Sequence, residues 1–136
     1  MAVTKYILYA DDDKDDLDVF AEALTAFPDY TLVTFRTGVD LLAFINQKSP
    51  SLNIELIISD INMPFINGLE TLRLLKSNLH SKDIPTFLYS TSANAIDTMV
   101  AASMNTPILV KPTSLKAIEE IIATMLMTHR EASPLS

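Results

Sequence analysis

The feature that most constrains this chain is an apolar run, residues 56–58, that leads through Ser59 to one aspartate, Asp60, and is stopped soon after by Pro64. An apolar run without a polar face is typical of a strand that is covered on both sides, as in a parallel sheet between two helical layers. Asp60 would then lie at the carboxyl end of the strand, where open α/β sheets bind ligands. Aspartate is also common at turns and helix caps, so Asp60 taken alone is better explained as a solvated loop acid that caps a helix starting near Asn67.

Length and composition narrow the class of protein. The 136 residues suit one domain with a sizeable core, and a hydrophobic fraction of 49% excludes a disordered chain. Without cysteine there is no disulfide framework and no thiolate metal site. A net charge of −7 disfavours nucleic acid as a partner, because such binding draws on basic side chains. No apolar run approaches the ~18 residues of a membrane span and no targeting leader is visible, so we expect a cytoplasmic protein without a membrane partner.

Strand-like and helix-like segments alternate along the whole chain. Each strand-like segment is short, apolar and bounded by polar or proline-containing turns. Five such units with short connections predict a parallel sheet with right-handed crossovers, a doubly wound α/β sandwich. We expect one domain over residues 1–128 and a C-terminal tail over 129–136. The predicted strands are residues 5–10, 31–35, 54–59, 86–89 and 107–110.

The intervening segments carry apolar residues at the spacing of a helix. The predicted inner faces include Leu17 and Phe20, then Val39, Leu42 and Ile45, then Leu72 and Leu79, then Ile96 and Met99, and finally Ile118 and Ile122.

Residues with charged or hydroxyl side chains follow four of the five strands. Because parallel strands end at one edge of the sheet, these side chains should face the same edge. Converging carboxylates repel one another unless a hard divalent cation offsets them, and Mg²⁺ prefers such oxygen ligands. A lysine and a hydroxyl could contact a phosphoryl group, so the set indicates phosphoryl transfer to Asp60. The residues are Asp11 and Asp12 after the first strand, Asp60 after the third, Ser90 and Thr91 after the fourth, and Lys111 after the fifth.

Each member of the set also has a purely structural interpretation. Ser90 and Thr91 could simply be small or β-branched strand-end residues, and Lys111 could be a solvated loop charge. The neighbouring Asp13 is expected to cap a helix, and Asp15, Asp16 and Asp18 are expected to form a solvated face.

The order and spacing of these motifs resemble the receiver domain of bacterial two-component response regulators, including stand-alone, chemotaxis-regulator-like members. The resemblance spans about residues 4–127 and implies a flavodoxin-like sheet in the order 2-1-3-4-5, which the periodicity alone does not supply. It is carried by Ile7-Leu8-Tyr9-Ala10-Asp11-Asp12-Asp13, by Ile58-Ser59-Asp60-Ile61-Asn62-Met63-Pro64 with Asn67-Gly68-Leu69, by Ser90 five residues after Pro85, and by Val110-Lys111-Pro112.

This resemblance implies a role for each acidic residue. Asp60 would be the phosphoacceptor, Asp12 a direct Mg²⁺ ligand and Asp11 a ligand through water. Asn62 would supply its backbone carbonyl to the metal. Asn62 and Ser92 would flank the path of the hydrolytic water and so tune the lifetime of the aspartyl phosphate.

The resemblance also assigns the contacts of the phosphoryl group. Ser90 would be the hydroxyl that swings toward it, Lys111 the lysine that pairs with it, and Thr91 a backbone N–H donor. A cis peptide bond would join Lys111 to Pro112. Ile108 occupies the position where the family usually has an aromatic switch residue.

The implied function is a single-domain response regulator in a phosphorelay. It would accept a phosphoryl group from a sensor histidine kinase or histidine phosphotransfer protein and signal to a downstream protein target. It would not be an enzyme beyond assisting its own phosphorylation and dephosphorylation. Two alternatives remain: a degenerate receiver that acts only as an interaction module, and an aspartate-nucleophile phosphohydrolase, although such enzymes usually place the nucleophile after the first strand.

Overall fold

The computed structural model describes residues 3–48 and 51–132, in which strands and helices alternate as predicted. No helix among these residues is long and apolar enough to cross a lipid bilayer. The elements are β1 (Lys5–Ala10), α1 (Lys14–Leu24), β2 (Tyr30–Phe35), α2 (Gly38–Lys48), β3 (Asn53–Ser59), α3 (Gly68–Ser77), β4 (Thr86–Ser90), α4 (Ala95–Ser103), β5 (Ile108–Val110) and α5 (Leu115–Ala132).

The five strands form one parallel sheet in the order β2-β1-β3-β4-β5, which confirms the predicted order. The order makes β1 and β3 neighbours, and Ala10 pairs with Ser59 at their carboxyl ends. The next residue on β3 continues this contact, since the Asp60 N–H donates to the Ala10 carbonyl at 2.9 Å. Asp11 and Asp60 therefore leave adjacent strands side by side, at the switch point of the sheet.

Two helical layers cover the sheet. Alternate side chains of a strand point to opposite faces, so Ile7 and Tyr9 lie in the core under α1 and α5, whereas Leu8 and Ala10 lie in the core against α2 and α3. All four are fully buried. Both faces of the central strands are thus apolar, as the unbroken run in β3 predicts.

The start of α1 is fixed by Asp13, as predicted. Its carboxylate accepts hydrogen bonds from the backbone N–H groups of Asp15 and Asp16, at 2.9 and 3.3 Å. Such a cap stabilises a helix by about 1 kcal/mol. The cap sets the direction in which the first turn of α1 leaves the acidic edge of the sheet.

Some predicted core positions are wrong. Val39, Leu79, Ile96 and Met99 are exposed, the last two to 71%. Leu79 lies beyond the end of α3, and α4 buries only Ala101. A short helix that contacts the sheet through one small side chain leaves its larger apolar residues in solvent.

The C-terminal boundary also differs from the prediction. Helix α5 runs to Ala132, four residues into the segment predicted as a tail from residue 129. Residues 133–136 of that segment lie outside the described residues.

Candidate functional site

Three carboxylates meet at the edge of the sheet, between the ends of β1 and β3. One oxygen from each of Asp11, Asp12 and Asp60 lies within 4.8 Å of the other two. Asp11 and Asp60 are buried, whereas Asp12 is exposed. The structure thus brings together the three acids that the sequence predicted, and the opening faces solvent on the side of Asp12. Like charges this close raise the free energy of the cluster unless cations offset them.

The loop after β3 holds Asp60 in place from two sides. Its Oδ1 accepts a hydrogen bond from the Ile61 N–H at 2.7 Å. The chain then folds back, because the Gly68 N–H donates to the Ile61 carbonyl at 2.7 Å. A Cβ atom on Gly68 would lie only 2.0 Å from the Asp60 carbonyl oxygen. Only glycine permits this approach, so α3 begins against the backbone of Asp60.

Lys111 reaches the acidic cluster from the end of β5. Its Nζ lies 2.6 Å from Asp11 Oδ2, 2.8 Å from Asp16 Oδ2 and 3.2 Å from Asp60 Oδ2. Only 7% of its side chain is exposed. Burial lowers the pKa of the ammonium, but the hydrogen bonds that it donates to Asp11 and Asp16 outweigh this effect and raise the pKa above its ordinary value. Lys111 is therefore protonated, and its burial excludes the alternative interpretation of a solvated loop charge.

Asp11 has a second side-chain donor, which the sequence analysis missed. The Tyr9 hydroxyl donates to Asp11 Oδ2 at 2.5 Å, the same oxygen that Lys111 contacts. Burial raises the pKa of Asp11 despite the hydrogen bonds from Lys111 and Tyr9. Burial, together with the neighbouring Asp11 charge, raises the pKa of Tyr9 as well. A tyrosine within a strand that is covered on both faces needs a partner for its hydroxyl, and this was the signal available in the sequence.

Asp16 is the other residue that sequence reasoning missed. We expected a solvated side chain, but the structure shows it ion-paired to Lys111, with 31% of the side chain exposed. Its position in the first turn of α1, one turn after the end of β1, directs it toward the same edge of the sheet. The nearby Asp18 fits the solvated interpretation, since it forms an exposed ion pair with Lys14.

Ser90 lies at the end of β4 with only 1% of its surface exposed. Within the described part of the chain, its Oγ has no hydrogen-bond partner. Its carbonyl accepts from the Lys111 N–H at 2.8 Å, which couples the ends of β4 and β5. A buried hydroxyl without a partner is costly, so this group is available for a ligand.

The remaining predicted residues surround this centre. Asn62, Thr91 and Ser92 are exposed in the loops after β3 and β4. Ile108 is half-buried and packs against the core formed by Leu72, Leu88 and Ala101 among others.

The predicted cis peptide bond before Pro112 is wrong. None of the peptide bonds among the described residues is cis, so Lys111 and Pro112 are joined in the trans form. The trans form is the ordinary preference of a bond that precedes proline, by about 0.5–1 kcal/mol.

The fold and the site define a class of protein: a flavodoxin-like α/β domain with an acidic pocket and a lysine at the switch point of its sheet. Residues 7–123 match the family model described as the response regulator receiver domain, and the chain belongs to this family. Receiver domains are signalling domains of two-component systems and have an acidic pocket for Mg²⁺ or Mn²⁺.

Curated relatives support the same assignment. The chain is 34% identical, over 107 residues, to the response regulator Rcp1 of a Synechocystis strain, covering 74% of this chain and 71% of that protein. It is 24% identical over 122 residues to the Helicobacter pylori chemotaxis protein CheV2, covering 90% of this chain but only 39% of the relative. A probable cyclic di-GMP phosphodiesterase of Vibrio cholerae is matched over 27% of its length, at 26% identity and over 91% of this chain.

Solved structures of response regulators superimpose closely on the chain. The Mn²⁺-bound form of Rcp1 has a TM-score of 0.80 at 29% identity, covering 91% of this chain and 96% of that one. The phosphorylated cyanobacterial phytochrome response regulator RcpA has a TM-score of 0.82 at 26% identity, with coverages of 96% and 97%.

Proposed function

We propose that this chain is a phosphoacceptor in a two-component phosphorelay. Asp60 accepts a phosphoryl group from the phosphohistidine of a sensor histidine kinase or a histidine phosphotransfer protein, in a Mg²⁺-dependent step, and the phosphorylated domain signals through contact with a protein target. The observation that carries the proposal is the meeting of Asp11, Asp12 and Asp60 with Lys111 at one edge of the sheet.

The donor set fits a hard divalent cation. Asp11, Asp12 and Asp60 offer carboxylate oxygens within 4.8 Å of one another, and Lys111 supplies a single positive charge against them. With the backbone carbonyl of Asn62, these are the oxygen ligands that Mg²⁺ prefers. When bound, the cation offsets the repulsion between the acids and the charge of the transferred phosphoryl group.

Asp60 is the natural nucleophile of the three acids. Its Oδ1 is held by the Ile61 N–H, whereas its Oδ2 has only the Lys111 contact, at 3.2 Å, the longest of the three lysine contacts. Attack by Oδ2 on phosphorus forms the acyl phosphate as the bond from phosphorus to the histidine nitrogen breaks. The site contributes positioning and charge stabilisation, which is what this transfer requires.

Three groups then bind the phosphoryl oxygens. The ammonium of Lys111 is protonated and adjacent, and the Ser90 hydroxyl is buried without a protein partner. The Thr91 backbone N–H is the third donor. A phosphoryl group on Asp60 would give Ser90 the acceptor that it lacks, and this supports a conformational response at the end of β4.

The lifetime and the output of the phosphorylated state depend on the surrounding loops. Asn62 and Ser92 are exposed at the entrance and flank the approach of the hydrolytic water, so their exchange should alter the lifetime of the acyl phosphate and leave its formation intact. Ile108 packs into the core beside Leu88, and the output of this receiver therefore does not use an inward-turning aromatic ring at that position.

The test uses acetyl phosphate as a small-molecule phosphodonor with Mg²⁺. Wild-type protein should gain the mass of one phosphoryl group, and Asp60→Asn should not. Asp18→Asn is a matched control, because it removes one acidic charge at an exposed ion pair away from the cluster, and it should be modified like wild type. Removal of Mg²⁺ by a chelator should abolish the gain. Equal modification of wild type and Asp60→Asn would contradict the proposal, and binding of Mg²⁺ without phosphorylation by any donor would indicate an interaction module.

A further inference from the structure

Lys111 has no donor to spare in this structure. An ammonium group carries three N–H donors, and all three have carboxylate acceptors, at 2.6 Å in Asp11, 2.8 Å in Asp16 and 3.2 Å in Asp60. A phosphoryl oxygen can receive a hydrogen bond from Lys111 only if one of these contacts is given up.

The three carboxylates are not equivalent. Asp11 and Asp60 belong to the group of acids whose oxygens lie together and fit a divalent cation, whereas Asp16 is outside that group. Asp16 is also the partner that comes from a helix and not from a strand end. A bound cation would engage Asp60 and, through water, Asp11, and the phosphoryl group would be attached to Asp60. Asp16 would then remain as the acceptor that competes with the phosphoryl group for Lys111.

We propose that Asp16 is a positioning residue that holds Lys111 in a resting position and competes with the phosphoryl group for its ammonium. The inference rests on the proposed function, because it takes Asp60 as the acceptor. In the unmodified protein, the Asp16 contact keeps the lysine fully hydrogen-bonded and buried. Upon phosphorylation the lysine moves its donor from Asp16 to a phosphoryl oxygen, and the partly exposed Asp16 carboxylate is released to water at small cost.

The proposal predicts that removing the charge of Asp16 raises the affinity of the site for an analogue of the phosphoryl group. Asp16→Asn keeps the shape of the side chain but loses its charge, so Lys111 is freer to engage a phosphoryl group. We expect the affinity for beryllofluoride in the presence of Mg²⁺, measured by titration calorimetry, to rise roughly three- to tenfold. Asp15→Asn is the matched control: it removes the same charge from the same helical turn, and Asp15 has no contact with Lys111 among the ion pairs of the described residues. It should leave the affinity within twofold of wild type.

A double-mutant cycle separates positioning from a general effect of charge. In a Lys111→Met background, Asp16→Asn should give no gain in beryllofluoride affinity. A gain that persists without the lysine, a gain of equal size in Asp15→Asn, or a loss of affinity in Asp16→Asn would each overturn the proposal. These outcomes differ from failure of the proposed function itself, in which Asp60→Asn would be phosphorylated to the same extent as wild type.

Discussion

The ammonium of Lys111 donates a hydrogen bond to Oδ2 of Asp60 at 3.2 Å, although the two residues are 51 positions apart in the chain. The contact exists because β3 and β5 flank β4 in a parallel sheet and end at the same edge. The buried ammonium of Lys111 therefore lies next to the proposed phosphoacceptor.

Lys111→Met should destabilise the protein in the absence of divalent cations by about 3 kcal/mol, because the buried carboxylates of Asp11 and Asp60 lose their counter-charge. Mg²⁺ should restore part of this loss by supplying the missing positive charge, so it should stabilise the variant more than wild type. Urea unfolding with and without Mg²⁺ measures both effects. An unchanged free energy of unfolding, or equal stabilisation of both proteins by Mg²⁺, would contradict this account of the cluster.

Gly68→Ala should displace the backbone of Asp60 and so reduce phosphorylation together with stability. The added Cβ would meet the Asp60 carbonyl oxygen at 2.0 Å and Ile61 Cα at 2.8 Å, and backbone atoms cannot rotate away. Overpacking of this kind costs about 3 kcal/mol. Gly38→Ala is the control, since its Cβ would meet the hydroxyl of Thr71, a side-chain atom, at 2.1 Å. Urea unfolding and acetyl phosphate labelling should show the larger loss in Gly68→Ala, and equal losses would refute the role of Gly68 in placing Asp60.

Tyr9→Phe should remove one of the donors that hold Asp11 while keeping the ring that packs against Phe20 and Tyr89. Loss of a hydrogen bond to a buried carboxylate costs about 2 kcal/mol of stability. Because the Tyr9 hydroxyl would no longer compete with the metal site for Asp11 Oδ2, we also expect a change in Mg²⁺ affinity, measured by calorimetry. Tyr30→Phe, at the opposite end of the sheet, should leave Mg²⁺ affinity unchanged. If Tyr9→Phe matched Tyr30→Phe in both measurements, the hydrogen bond to Asp11 would be unimportant.

Alkaline pH should destabilise the fold through Tyr89. Burial raises the pKa of Tyr89 from 10.0 to about 12. Between these values the unfolded chain releases a proton that the folded chain retains, so the free energy of unfolding falls as pH rises through this window. Tyr89→Phe removes the titrating group, and its stability should fall less between about pH 9 and about pH 11. Urea unfolding at the two pH values provides the measurement, and parallel losses in wild type and Tyr89→Phe would assign the alkaline effect elsewhere.

The sequence predicted the fold and the centre of the site because both depend on local patterns. The apolar run before Asp60 and the polar residues that follow the other strands locate the edge of the sheet, whereas the strand order came from the family resemblance. Asp16 was missed because its role depends on Lys111, 95 residues away in the chain. Tyr9 was missed because its role depends on the acceptor of its buried hydroxyl. Periodicity also failed for α4, where helical spacing could not reveal that Ala101 is the only buried residue of the helix.

The most direct test of the account is to locate the phosphoryl group on the chain. Wild-type protein treated with acetyl phosphate and Mg²⁺ would be reduced with borohydride, which converts an aspartyl phosphate to homoserine, and its peptides would then be sequenced by mass spectrometry. The proposed acceptor role of Asp60 predicts homoserine at position 60, with Asp11 and Asp12 intact. Homoserine at position 11 or 12, or a phosphorylated protein with aspartate still at position 60, would contradict it.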